Sequence, residues 1–186
     1  MEHAHGLGYL PDVPKPDDYT EEHPAVSELL KKTKLAARVK TGAAKGAAAE
    51  PASAPIANPP MVDLRPWFSP IEDQGALGSC TANAAAGLLE YFERRASGKY
   101  VDASRLFLYK AERDLLGWTG DTGAYLRTAM EALVVFGAPP ERYWPYVVAQ
   151  YDNEPPAFCY AFGANYKAIR YFRLDPARRL GRDRAR

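Results

Sequence analysis

Apolar residues recur at helical spacing in four stretches of the chain and alternate in a fifth. Val26, Leu29 and Leu30 line one side of Pro24–Lys32, a short amphipathic helix with proline in its first turn. From Cys80 to Glu93, the residues Ala85, Leu88, Leu89 and Phe92 fall on one stripe, predicting a helix that turns this face into a core. A third helix is predicted over Ser104–Leu116, with Ser104 as its N-cap. Leu106, Phe107, Leu108 and Tyr109 make it apolar nearly all round, so it belongs in the interior. Leu126, Ala129, Met130 and Leu133 mark a fourth helix over 123–136, stopped by Gly137 and by Pro139-Pro140. Tyr166–Leu174 alternates in the manner of a strand.

The stretches between these patterns set the boundaries. Residues 1 to about 22 are dense in proline, which denies helix and central strand and predicts an extended arm. Residues 41–60 are rich in Ala, Pro and Gly and read as a linker. The expected organisation is therefore 1–60 as arm, short helix and linker, 61–174 as the folded domain, and 175–186 as a disordered basic tail. From Arg173 onward there are six Arg and two Asp, +4 locally against −3 for the rest. A nucleic-acid tail, a solvated end and the remnant of a truncation or frameshift all fit; the abrupt loss of pattern favours the last.

Composition narrows the classes. Apolar residues make up 47% of the 186, enough for a core, and the net charge of +1 implies no general attraction to nucleic acid or membrane. Two cysteines, Cys80 and Cys159, do not make a disulfide scaffold. No apolar run approaches membrane-spanning length and the first residues lack a signal-peptide pattern, so the expected location is cytoplasmic. No cofactor and no metal are expected. His3 and His5 are better explained as solvent-exposed terminal residues than as a metal clip.

The chemistry gathers at Asp73-Gln74-Gly75-Ala76-Leu77-Gly78-Ser79-Cys80, a glycine-punctuated loop ending in a cysteine at a helix start. Unpaired N–H groups and the partial positive charge of a helix N-terminus both favour a thiolate, which is the nucleophilic form. Cys159 has no motif around it and reads as a buried structural thiol. Asp121, between Gly120 and Thr122-Gly123, reads as a turn residue rather than a catalytic carboxylate. The aromatic cluster at 143–146 lacks interleaved basic residues, so core packing explains it better than base stacking.

Gln74 six residues before Cys80, the Gly78-Ser79-Cys80 helix start and the Val62-Asp63-Leu64-Arg65 lead-in together resemble the papain-like cysteine peptidases, the C1 family. The likeness covers about 62–174 and is strongest to a bacterial branch without the usual disulfides. Leu77 stands where the family often has a disulfide cysteine, and Thr81 where it has an aromatic residue. The resemblance implies an α+β, papain-like fold, mostly its helical left lobe, with the β-rich right lobe largely missing. It also implies that a segment ahead of the domain crosses the cleft.

Carried onto this sequence, the resemblance makes Cys80 the nucleophile and Gln74 its oxyanion-hole partner. One such donor typically lowers the barrier by about 3 kcal/mol. Gly78, Ser79, Gly123, Ala124 and Tyr125 become substrate-binding residues, the glycine for main-chain approach and the last two as a moderately apolar pocket. The family's histidine and asparagine lie roughly 130–150 residues beyond the cysteine. Here the histidines are His3, His5 and His23, all ahead of Cys80. The expected function is thus a cysteine-type peptidase working through a Cys80 acyl-enzyme, incomplete in this chain, with a peptide or protein as substrate. The alternative is a non-catalytic peptide-binding or interaction module derived from one.

Overall fold

The computed structural model describes residues 8–13, 15, 18–20, 23–32 and 61–173. They fall in two units, one of residues 1–13 with 64–171 and one of residues 14–63 with 172–186. The first unit is mostly helical. In chain order it holds β1 (Tyr9–Leu10), α2 (Cys80–Ser97), α3 (Arg105–Leu116), β2 (Ala124–Tyr125), α4 (Leu126–Val135) and α5 (Ala157–Gly163), with short 3-10 turns between. The second holds α1 (Pro24–Lys32). β1 and β2 pair in parallel, Tyr9 opposite Ala124 and Leu10 opposite Tyr125.

α3 is the axis of the first unit. Every residue from Arg105 to Arg113 is buried, and α2, α4 and β2 pack around it. Leu106, Phe107, Leu108 and Tyr109 are fully enclosed; side chains of this size stabilise by about 1.5–3 kcal/mol each when fully buried. The helix is held at both ends. Ser104 Oγ accepts from the Phe107 N–H at 3.2 Å and donates to the Trp144 carbonyl at 2.6 Å. Gly117, left-handed at φ 69°, closes the other end with its N–H on the Arg113 and Asp114 carbonyls.

The stripe predicted for α2 is buried only in part: Ala85 is enclosed and Leu89 packs against the core, but the buried face is centred elsewhere. Ala82, Ala85, Ala86, Glu90 and Tyr91 are buried, whereas Leu88 and Phe92 are 38% and 49% exposed. The reason is the size of the alanines. They let α2 approach α3 closely, and Glu90, whose Oε1 accepts from the Ala103 N–H at 2.8 Å, fixes the rotation. A hydrophobicity pattern weights Leu and Phe most heavily and so points a quarter-turn away. In α4, likewise, Ala129, Ala132 and Leu133 are buried but Leu126 is exposed. Its first residues, expected to be helical from 123, instead extend as β2.

Two other differences lie toward the C-terminal side. The described part of the predicted strand at 166–174 forms a 3-10 turn, Ala164–Tyr166, and irregular backbone. The Ala168 N–H goes to the Leu133 carbonyl at 3.0 Å, on a helix rather than a neighbouring strand. Helix α5 is an element that the sequence pattern did not announce. It buries Cys159 in the core and sets Phe158 and Phe162 edge-on to Tyr143 at 5.1 and 4.9 Å between centroids.

In the second unit α1 spans the predicted residues, with Val26 buried and Lys31 and Lys32 in the last turn, where cations suit the helix dipole. His23 Nδ1 accepts from the Ala25 N–H at 3.3 Å. Arg173 pairs with Thr20 in an isolated parallel bridge and with the Asp18 carboxylate at 3.5 Å. His3, His5, the linker at 41–60 and the basic tail lie outside the described residues. Among the described residues no helix is long and apolar enough to cross a membrane, and no group of three or more His, Cys, Asp or Glu is placed to hold a metal ion.

Candidate functional site

Cys80 is the first residue of α2, half-buried, with a free thiol. The loop before it is shaped by its own side chains. Asp73 Oδ1 accepts from the Gly75 N–H at 2.8 Å, bending the chain where Gly75 takes φ 62°. Gln74 Nε2 donates to the Leu77 carbonyl at 2.9 Å. That places the glutamine amide over the turn that leads into Cys80.

Behind the loop runs a chain of hydroxyls. Ser79 is fully buried, and its Oγ lies 2.5 Å from the Tyr146 hydroxyl, which donates to the Gln74 carbonyl at 3.0 Å. Asn83 Nδ2 donates to the Ser79 carbonyl at 2.9 Å and to Ser79 Oγ at 3.1 Å. Arg105 lies with its guanidinium 4.2 Å from the Tyr146 ring centre and its Nε 3.0 Å from Glu72. Ser79, expected among the substrate-binding residues, therefore turns its hydroxyl inward and fastens the loop to the aromatic turn at 144–146.

On the other side stands the Gly120–Gly123 turn. The Gly78 N–H donates to Asp121 Oδ1 at 2.9 Å, and the Gly123 N–H donates to the Tyr109 hydroxyl at 3.1 Å. Gly78, Gly123 and Ala124 are buried, while Tyr125 is half-buried with its ring 5.7 Å from that of Trp118. Leu10, Gly117, Trp118, Thr119 and Thr122 line an open pocket of about 430 Å³ beside this turn. The loop of Cys80 and the turn of Gly123 thus face one another across a narrow gap.

The gap is filled by the chain itself. The Gly8 carbonyl accepts from the Ala124 N–H at 2.9 Å, and β1 continues along β2. Arg127 then holds the arm through Asp12, at 3.1 Å, and through the Val13 carbonyl at 3.2 Å. The fit is close enough to forbid side chains. A Cβ on Gly123 would stand 2.2 Å from the Gly8 carbonyl oxygen, and one on Gly8 would stand 1.6 Å from that of Gly78. Glycine at 123 also answers its φ of 69°.

Thr81, the residue after Cys80, leads to a buried acid. Thr81 Oγ1 donates to Glu112 Oε1 at 2.7 Å, and Glu112 Oε2 has no hydrogen-bond partner among the described residues. Burial pushes the Glu112 carboxyl up to about 8, against the opposing effects of the Thr81 bond and the Arg113 charge. The folded chain then holds this proton more tightly than the unfolded one, so stability falls as pH rises from about 4.5 toward 8. A tenfold tighter hold on the proton is worth about 1.4 kcal/mol. Thermal melts of a Glu112→Gln chain across pH 5–8 are expected to lack most of that decline. Parallel curves for the two chains would show that Glu112 does not titrate in this window.

The residues expected from sequence are brought together in part. Cys80, Gln74, Gly78 and Ser79 share one loop, and Gly123, Ala124 and Tyr125 form the opposing edge. Tyr109, Tyr146 and Gly8 were not foreseen. The first two sit in stretches that composition marks as core, and a lone glycine in a proline-rich arm gives no local sign of its partners. Asp121 bonds across the gap, which a turn assignment by itself does not anticipate.

No protein-family model matches the chain. Over 105 residues it is 35% identical to an uncharacterized peptidase C1-like protein of Acanthamoeba polyphaga mimivirus, an overlap of 55% of this chain and 34% of that protein. Its structure aligns with xylellain, a cysteine protease from Xylella fastidiosa, at a TM-score of 0.66 and 29% identity, over 92% of this chain and 59% of that one. The chain spans about a third of the viral protein's length and three-fifths of the bacterial one's. Its fold is similar to that of a cysteine protease over the helical part, with one small two-stranded sheet among the described residues.

Proposed function

We propose that this chain supplies the nucleophile-bearing half of a cysteine-peptidase site, with Cys80 as nucleophile and the Gly78–Gly123 gap as the groove for an extended peptide. The observation that carries the reading is the backbone of Gly8, enclosed between those two glycines, with Tyr9–Leu10 running on as a strand beside Ala124–Tyr125. A groove that admits main chain and leaves no room for a Cβ suits an extended peptide with glycine at that point.

In this reading the Cys80 thiolate attacks the scissile carbonyl carbon, and the carbonyl electrons move onto oxygen. Donors from the Cys80 backbone N–H and the Gln74 side chain stabilise that charge. As the C–N bond breaks, the leaving amine needs a proton, and water must later cleave the thioester. Both steps call for an imidazole, and the sequence has histidine only at 3, 5 and 23. The 186 residues alone are therefore proposed to bind peptide without turnover, the arm of residues 8–13 taking the place of a ligand.

Iodoacetamide at neutral pH tests the nucleophile. Cys80 is expected to alkylate quickly, while Cys159, buried and with its thiol pushed up by desolvation, stays protected until the chain unfolds. Slow, equal labelling of both would remove the basis for a reactive Cys80. Peptide turnover abolished by Cys80→Ala would instead make these 186 residues an enzyme in their own right.

A further inference from the structure

We propose that Asp121 is a positioning residue: with Tyr109 it braces the Cys80 loop against the glycine edge of the groove and so sets the width of the gap. This rests on the reading of that gap as a peptide groove. The Asp121 carboxylate accepts twice from the loop, with the Gly78 N–H 2.9 Å from Oδ1 and 3.2 Å from Oδ2. Its Oδ1 also accepts from the Tyr109 hydroxyl at 2.5 Å. The same hydroxyl accepts from the Gly123 N–H at 3.1 Å. One continuous path therefore runs from Gly78 through Asp121 and Tyr109 to Gly123, the two glycines that enclose Gly8.

Each part of the path is fixed from behind. Tyr109 projects from the buried face of α3, and burial followed by the Asp121 bond raises its hydroxyl pKa, so it stays protonated and remains a donor to the carboxylate. The Gly120 carbonyl accepts from Arg113 Nη1 at 2.6 Å, and the Gly120 N–H donates to Asp152 at 3.1 Å, anchoring the turn just before Asp121. On the far side Gly78 has no room for a side chain. A Cβ there would stand 2.8 Å from Asp121 Oδ1, so the glycine is what lets the carboxylate reach the backbone. An aspartate serving only its own turn would bond within 120–123; this one bonds to a loop 43 positions earlier.

Amide hydrogen exchange on the full chain, read residue by residue by NMR, tests the brace and involves neither substrate nor turnover. Its failure is thus distinct from failure of the peptidase reading, which iodoacetamide labelling addresses. In Asp121→Ala, the Gly78 and Gly123 amides are both expected to exchange at least tenfold faster, with the α3 amides unchanged. Asp121→Asn keeps an Oδ1 acceptor for both donors and is expected to restore protection to within about threefold. Tyr109→Phe is expected to speed exchange at Gly78, which Tyr109 does not itself bond, and the Asp121→Ala/Tyr109→Phe pair to add less than the sum of its parts. Should the alanine variant fail to fold, the Asn and Phe variants carry the comparison. Acceleration confined to 120–123, Asn no better than Ala, or Gly78 untouched by Tyr109→Phe would each reduce Asp121 to a turn residue and overturn the brace.

Discussion

An Arg113→Ala chain is expected to lose about 3–5 kcal/mol of stability, the usual consequence of truncating a large, fully buried side chain together with the hydrogen bonds it makes. Arg113 has no exposed side-chain surface. Its Nε donates to the Tyr109 carbonyl at 3.0 Å, its Nη1 to the Gly120 carbonyl and to Asp152 at 2.6 and 2.7 Å, and its Nη2 to the Tyr151 carbonyl. The guanidinium also lies 4.2 Å from the centre of the Tyr109 ring. Asp152 is partly exposed, and the Arg113 bond holds its carboxyl below the usual range. The ion pair itself is therefore screened, and most of the loss comes from the guanidinium's bonds to carbonyls, the Tyr151 carbonyl above all, and from the cavity left around them. Arg113→Lys is expected to recover little, because one ammonium cannot span the fork of partners. Thermal denaturation gives the measurement: a drop of roughly 10 °C or more is expected in both variants. A loss under about 1 kcal/mol would mean that the loop at 120 and the turn at 151 stand without this side chain.

Gly8→Ala is expected to act oppositely, with a large local effect and little global one. The added Cβ would lie 1.6 Å from the Gly78 carbonyl oxygen. That contact is with backbone and cannot be relieved by turning a side chain, so β1 should leave β2. The Ala124 N–H, bonded to Gly8 in the intact chain, is then expected to exchange at least tenfold faster, while the midpoint of thermal unfolding moves by less than about 2 °C. An added peptide of sequence 8–13 should bind the variant more tightly than it binds the parent chain, as read by fluorescence anisotropy. Val13→Ala, a change at an exposed position next to the arm's Arg127 contact, serves as the control. Unchanged protection at Ala124 in Gly8→Ala would mean that the arm is not what shields that edge.

The helices were legible because three of them carry end signals as well as periodicity. Cys80 starts α2 and Pro24 starts α1 where the pattern placed them, and Ser104 caps α3. Which face each helix buries was less legible. Alanines at 82, 85 and 86 decide the packing of α2 by permitting close approach, yet they weigh little beside Leu88 and Phe92 in any hydrophobicity pattern. Helix α5 escaped notice because seven residues make fewer than two full turns, too short for a period to stand out. The alternation over 166–174 misled because a strand needs a neighbour's free edge, and the described backbone there turns to Leu133 on a helix. For the candidate site, the resemblance pointed to Cys80, Gln74 and Gly123 as expectations, and the structure sets Gly78 and Gly123 close about Gly8. The bonds that join Asp121 to Gly78 and Tyr146 to Ser79 connect residues 43 and 67 positions apart and leave no local trace.

Leu77, where the family that the sequence resembles often has a disulfide cysteine, is packed into the core, and both Cys80 and Cys159 are free thiols. The loop bearing Cys80 is thus joined to its surroundings by N–H and O–H bonds instead of sulfur–sulfur links. A reactive thiol must be kept reduced to act, and the reductant that keeps it so also opens strained or exposed disulfides. In this loop the two demands do not collide. Dithiothreitol or a glutathione pool can hold Cys80 as a thiol without loosening the scaffold that positions it.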